Sequence, residues 1–180
     1  ADVLSQAEHD VLARAIVVTT SKALARRIAE RVDARLAVLP RREIAERSIA
    51  SGGGIILTDT LEEAAKISNQ IAPEHLELYV KDPDALLPKI KNAGAVFMGA
   101  YTPEPVGDYF AGPDHILPTG GSARFFEVLS EDVFTRKMSV IRYTEEALKE
   151  DGEHIVRLAE SESLLAHARA ILARLEEENK

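Results

Sequence analysis

The chain has 180 residues, 46% of them hydrophobic and 29% charged, enough to bury one sizeable core beneath a solvated surface. Thirty acidic against twenty-two basic residues leave a formal net charge of −8, and no basic stripe is interleaved with aromatics, so nucleic acid and anionic membrane are poor partners. Cysteine is absent, which excludes disulfides and thiolate zinc sites and leaves nitrogen and oxygen ligands for any metal. No run approaches the roughly 20 apolar residues of a spanning helix, and the N-terminus lacks the basic-then-apolar pattern of a secretory signal, so a cytoplasmic location is expected.

Residues 3–14 read as helical, which puts Gln6 and His9, three apart, on one face. The pair is either half of a metal site or an incidental feature of a surface helix. "AIVVTT" at 15–20 reads as a buried strand, and Ser21 is an N-cap for "SKALARRIAERV". "RLAVLP" is expected as a second strand, "RREIAERSIAS" as a helix ended by the glycines at 52–54, "IILTD" as a third strand and "TLEEAAKISNQIA" as a capped helix. "LELYV" and "AVFMG" complete the strands, with Asp82 a cap between them. Strands alternating with helices predict an α/β fold: a mainly parallel sheet with helices on both faces, Rossmann-like but incomplete.

After Gly99 the chain changes character. "AYTPEPVGDYFAGPDHILPTGGSAR" is dense in Pro and Gly and far longer than the usual loop of about 4–6 residues, which marks it as functional. Thr144 is a cap for "TEEALKE", "EHIVRLAE" follows, and "SLLAHARAILARLEEENK" presents Leu164, Leu165, Ala168, Ile171, Leu172 and Leu175 as an apolar stripe. This C-terminal helical arm is either a lid on its own sheet or packs on a second chain. The expected division is an α/β domain over 1–130 and the arm over 131–180.

Glu74 and His75 follow Pro73, which disfavours helical geometry at Ala72 and ends the preceding helix there. Crevices of parallel sheets lie at the carboxyl ends of strands, so a pair ahead of its strand serves a site only if the chain makes a detour to meet it. On an extended segment the two side chains diverge, one placed to take a proton and the other to activate water; the alternative is a satisfied polar turn. Asp108 and His115 share the long loop and suit a hard or borderline cation, or a cap and a packed ring. Glu162 and His167 lie at the start of the last helix, and His154 has no polar companion at useful spacing. "SGGGIIL" precedes a strand rather than following one, "TGGSAR" is at most an anion-binding nest, and neither is a dinucleotide fingerprint or P-loop.

The order of "LSQAEHD", "NQIAPEHLEL", "NAGAVFMGAYTPEPVGDYFAGPDHILPT", "ARF" and "LAESESLLAHARA" resembles the C-terminal half of histidinol dehydrogenase across essentially the whole chain. The resemblance implies oxidation of L-histidinol to L-histidine through the aldehyde, the last steps of histidine biosynthesis, with Zn²⁺ and NAD. It implies Gln6, His9, Asp108 and His167 as zinc ligands, which also bind the substrate, and Glu74 and His75 as the acid–base pair, His75 touching the substrate too. His115 and Glu162 then hold the imidazole and amine of histidinol. It further implies a homodimer in which the terminal helix, with Glu162 and His167, reaches over to the partner's site.

The family chain is more than twice as long, and its NAD contacts are expected upstream of Ala1, so this chain alone is expected to be inactive. A non-redox zinc and imidazole-binding protein, or a dimerisation module, are the other readings. Two departures stand out: Ser163 where the family has glycine, a problem for Glu162 if that position needs positive φ, and "EVLSEDVF" where a serine-rich turn is usual.

Overall fold

The computed structural model describes residues 1–176. They form two compact units, which divide between residues 134 and 135. The first is mixed α/β. In order it contains α1 (Asp2–Ala7), β1 (Ile16–Thr19), α2 (Lys22–Leu36), α3 (Arg42–Gly52), β2 (Gly54–Leu57), α4 (Leu61–Ile71), β3 (His75–Leu78), α5 (Pro83–Leu86), β4 (Ala95–Met98) and α6 (Glu104–Tyr109). The strands pair in parallel, as expected, but in two separate ladders. β1 lies beside β2, with Ile16 opposite Gly54, and β3 lies beside β4, with His75 opposite Ala95 and Glu77 opposite Phe97.

Most capping signals act as read. Ser21 accepts from Leu24 N–H, Asp82 from Ala85 N–H and Thr144 from Ala147 N–H, each filling an orphan donor of its helix. The glycines at 52–53 end α3. Ala72 closes α4 in the left-handed region at φ 50°, outside the right-handed helical geometry that Pro73 disfavours.

Three expectations are corrected. α1 stops at Ala7 rather than running to residue 14, and Asp10 accepts from Leu12 N–H in a local turn that competes with the helix. "RLAVLP" is not a strand: α2 continues through Leu36 because Ala34, Arg35 and Leu36 are good helix formers, and Pro40 follows the turn that ends it. The long Pro/Gly segment is not one loop, since it holds α6, entered through Pro103.

The core under the second ladder is Ala65, Leu78 and Leu86, joined by Leu76, Val80, Ile90, Val96 and Met98. A polar staple sets the approach to β4. Asn69 on α4 donates to Lys89 C=O at 2.8 Å and accepts from Lys91 and Asn92 N–H at 2.7 and 3.1 Å. "TGGSAR" also serves as a staple, its Arg124 donating to the carbonyls of Gly121 and Gln70.

In the second unit, α7 (Glu145–Ser161) and α8 (Leu165–Glu176) pack on each other. Gly152 marks their close approach, where an added Cβ would stand 2.8 Å from Leu175 Cδ1. The two stretches read separately as "TEEALKE" and "EHIVRLAE" are one helix. The stripe on the last helix is packed at Ala168 and partly at Ile171 and Leu175, and the charge run after Glu176 lies outside the described residues.

Candidate metal and acid–base site

β3 reads HLEL, alternating polar and apolar, so its two faces separate: Leu76 and Leu78 enter the core, while His75 and Glu77 point the other way. β4 contributes Phe97 to that second face, its ring edge-on to the His75 imidazole with centroids 5.9 Å apart. After β4 the chain turns through Gly99 at φ 85°, with Thr102 Oγ1 donating to Met98 C=O at 2.9 Å. It then brings α6 over the face. This is the detour that a site at the amino end of β3 requires.

The helix is anchored at its first residue, where Glu104 N–H donates to Glu77 Oε1 at 3.0 Å. Glu104 and Asp108 are one turn apart on α6, and Gly107 between them lets the helix sit close to Phe97, whose Cε1 would lie 2.7 Å from an added Cβ. Donor atoms of His75, Glu104 and Asp108 all lie within 4.8 Å of one another. His75 Nε2 is 4.0 Å from Glu104 Oε1. Gln6, from α1, and Asp108 both lie beside the Glu104 carboxyl.

The electrostatics follow from burial. Glu104 is 7% exposed. Its carboxyl is pushed up to about 7, first by desolvation and then by the neighbouring Asp108, with Gln6 opposing. Glu77 is also raised, by burial first, although the Glu104 N–H favours its ionised form.

Among the sequence-derived candidates, His75 and Asp108 thus meet, and Gln6 lies on the Glu104 side of the cluster. Glu74 is half-buried immediately before β3, its carbonyl accepting from Ala95 N–H at 2.8 Å. His115 is exposed and lines, with Asp108, Asp114 and Phe97, a cavity of ≈ 180 Å³ against β4 and α6. His9 is exposed on the turn after α1, its N–H donating to Gln6 C=O at 3.3 Å, and is not part of the cluster. Glu162 and His167 belong to the second unit and are exposed there. Glu162 ends α7, Ser163 adopts φ 62° and His167 stands in the first turn of α8. His154 is exposed on α7.

Glu104 and Glu77 were not among the candidates. Their signals were present, a glutamate just inside Pro103 and a strand alternating charge with leucine, but only the fold aims them at one another.

The donors fit zinc in type: imidazole nitrogen and carboxylate and amide oxygens, with no thiolate. The same test fails for a dinucleotide among the described residues. The turns from β1 to α2 and from β2 to α4 hold no glycine, and their helix N-termini are filled by Ser21 and by Thr60, which accepts from Glu63 N–H.

An α/β scaffold of parallel strands that gathers an imidazole and two carboxyls, with Glu104 alone of the three buried, defines a candidate acid–base site whose donor atoms could hold a metal ion. The sequence profile described as Histidinol dehydrogenase matches residues 1–175, and the chain belongs to that family. A histidinol dehydrogenase of Bacillus cereus (strain ATCC 14579) is 57% identical over 178 residues, 99% of this chain and 42% of the relative. One from Carboxydothermus hydrogenoformans is 50% identical over the same length, again 42% of the relative. A crystal structure of histidinol dehydrogenase from Elizabethkingia anophelis matches with a TM-score of 0.90 and 37% identity, over 99% of this chain and 41% of that one. The chain therefore spans about two fifths of the relatives it matches.

Proposed function

We propose that this chain carries the substrate and metal half of a zinc- and NAD-dependent oxidation of L-histidinol to L-histidine. The supporting observation is the convergence of His75, Glu104 and Asp108 on one face. In this reading Gln6, His9 and Asp108 hold the zinc ion, with His167 supplied across a homodimer by α8, and the arm beyond residue 130 serves dimerisation. When bound, zinc supplies a Lewis acid that orients the amino alcohol through its imidazole and amine.

His75 takes the proton of the alcohol as the aldehyde forms, and a second proton as the aldehyde hydrate becomes the acid. Its Nε2 faces Glu104, which keeps the ring turned toward the cluster. Glu74 activates the water consumed between the two oxidations. His115 and Glu162 bind the ends of the substrate, and Asp108 and His115 share the wall of one cavity. NAD is the hydride acceptor of this reading. The steps assigned here to the chain's own residues are proton transfers and binding, and this reading leaves the chain alone inactive. The biosynthetic role sets it in the cytoplasm; no described helix is long and apolar enough to cross a membrane.

Calorimetric titration of the metal-stripped chain with histidinol, with and without one equivalent of Zn²⁺, tests this. Zinc-dependent binding that is lost in His9→Ala is expected. Zinc-independent binding, or none in either condition, overturns the reading.

A further inference from the structure

α6 is six residues long, too short to hold a helical conformation alone in water, so its place over β3 and β4 depends on what it is tied to. Its first turn is short of acceptors. The N-cap is Pro103, with no side-chain oxygen to offer, and Pro105 has no N–H to satisfy. Val106 N–H finds the Pro103 carbonyl at 3.0 Å, which leaves the N–H of Glu104 without a local partner. Glu77, 27 residues earlier, supplies it: its Oε1 accepts that N–H at 3.0 Å.

Glu77 stands two residues after His75 on β3, so one strand face carries both the imidazole and the acceptor that receives the helix. A half-buried carboxylate is unfavourable there, because burial penalises its charged form and an apolar side chain would pack without that penalty. The bond to α6 offsets it. The other half of the helix is located by shape, since Gly107 lies against the Phe97 ring and Phe97 is the residue opposite Glu77 in the ladder. With α6 held at these two points, the Asp108 carboxylate comes within 4.8 Å of the donor atoms of His75 and Glu104.

We propose that Glu77 is a positioning residue of the site: by accepting the first N–H of α6 it seats that helix on β3 and fixes Asp108 relative to His75. This rests on the reading of Asp108 as a zinc ligand. Glu77 acts through the helix and is not itself a ligand. Outer partners that orient ligands are worth about 10–100-fold in metal affinity.

The test is zinc affinity of the metal-stripped chain, by competition with a chromophoric chelator, paired with the visible spectrum of the Co²⁺ form. Amide hydrogen exchange at Glu104 reports on the bond itself. Glu77→Leu, which removes acceptor and charge together, is expected to weaken zinc by at least about tenfold, alter the Co²⁺ bands and speed exchange at Glu104. Glu77→Gln removes the charge and keeps an oxygen that accepts the same N–H, so it is expected to stay within about threefold, with wild-type bands and slow exchange. If Glu77→Leu does not fold, Glu77→Met, unbranched and closer to glutamate in shape, carries the same expectation.

Wild-type affinity and bands in Glu77→Leu or Glu77→Met overturn the positioning role and leave the zinc reading standing. Glu77→Gln weakened by about tenfold or more also overturns it, by making the charge rather than the bond responsible. Fast exchange of the Glu104 N–H in the unmodified chain overturns it whichever variants fold. A wild-type chain that takes no zinc overturns the underlying reading and this proposal together.

Discussion

In the first ladder the strands read IVVT and GIIL, aliphatic on both faces; in the second they read HLEL and AVFM, and charge alternates with leucine along β3. Both ladders are parallel and four residues long. The first can only support. The second sends Leu76 and Leu78 into a core and presents His75 and Glu77 to a helix that turns back over them. The difference shows that a site on this scaffold needs a strand with one polar face and a neighbour close enough to meet it.

Closeness is what glycine supplies, and it separates the ladders most sharply. A Cβ at Gly94 would stand 2.6 Å from the Glu74 carbonyl oxygen and 3.2 Å from Leu117 Cβ, whereas Gly54 has open space. The Glu74 carbonyl cannot swing aside without losing its bond from Ala95 N–H. Gly94→Ala is therefore expected to cost about 3 kcal/mol or more, through overpacking against backbone, while Gly54→Ala stays within about 1 kcal/mol. Urea denaturation of the two variants checks this, and equal costs would remove the distinction.

The cores predict a second contrast. Leu78 is 5% exposed and Leu57 49%. Truncating Leu78 to alanine should cost about 3 kcal/mol by transfer and cavity, and Leu57→Ala less than about 1 kcal/mol. Thermal and urea midpoints give both numbers. A large loss at Leu57 would mean that the first ladder carries more of the stability than its exposure implies.

Much of this was legible in the sequence, for reasons that can be named. Ser21, Asp82 and Thr144 announce their helices because a capping side chain acts within three residues of itself. Pro73 announces the break at Ala72 in the same local way. Ser163 stands where the resemblance has glycine, and it adopts φ 62°, so Glu162 is followed by a residue held in a conformation glycine would adopt at less cost. What was not legible is nonlocal. The "RLAVLP" run is apolar enough for a strand, but no partner strand receives it. Glu104 reads as an ordinary first-turn glutamate until α6 lies over β3, and Asn69 reads as a helix-surface residue until residues 89–92 fold back on it.

The last contrast is in proton binding. On the β3–β4 face Glu104 titrates near 7 against 4.5 for an ordinary glutamate, and Glu77 is raised as well. A carboxyl that titrates higher in the folded chain than in the unfolded one makes the folded chain hold more protons between the two values. Its contribution is full below pH 4.5, is lost as pH rises toward about 7, and is level above that. The loss from Glu104 is on the order of 2–3 kcal/mol across that window. Stability measured by urea denaturation of the metal-free chain should fall accordingly from pH 5 to about 7, and Glu104→Gln, which cannot ionise, should flatten most of that slope. Leu57→Ala should leave the slope unchanged. A slope that persists in Glu104→Gln would place the proton-linked group elsewhere, and with it the electrostatic asymmetry between the two ladders.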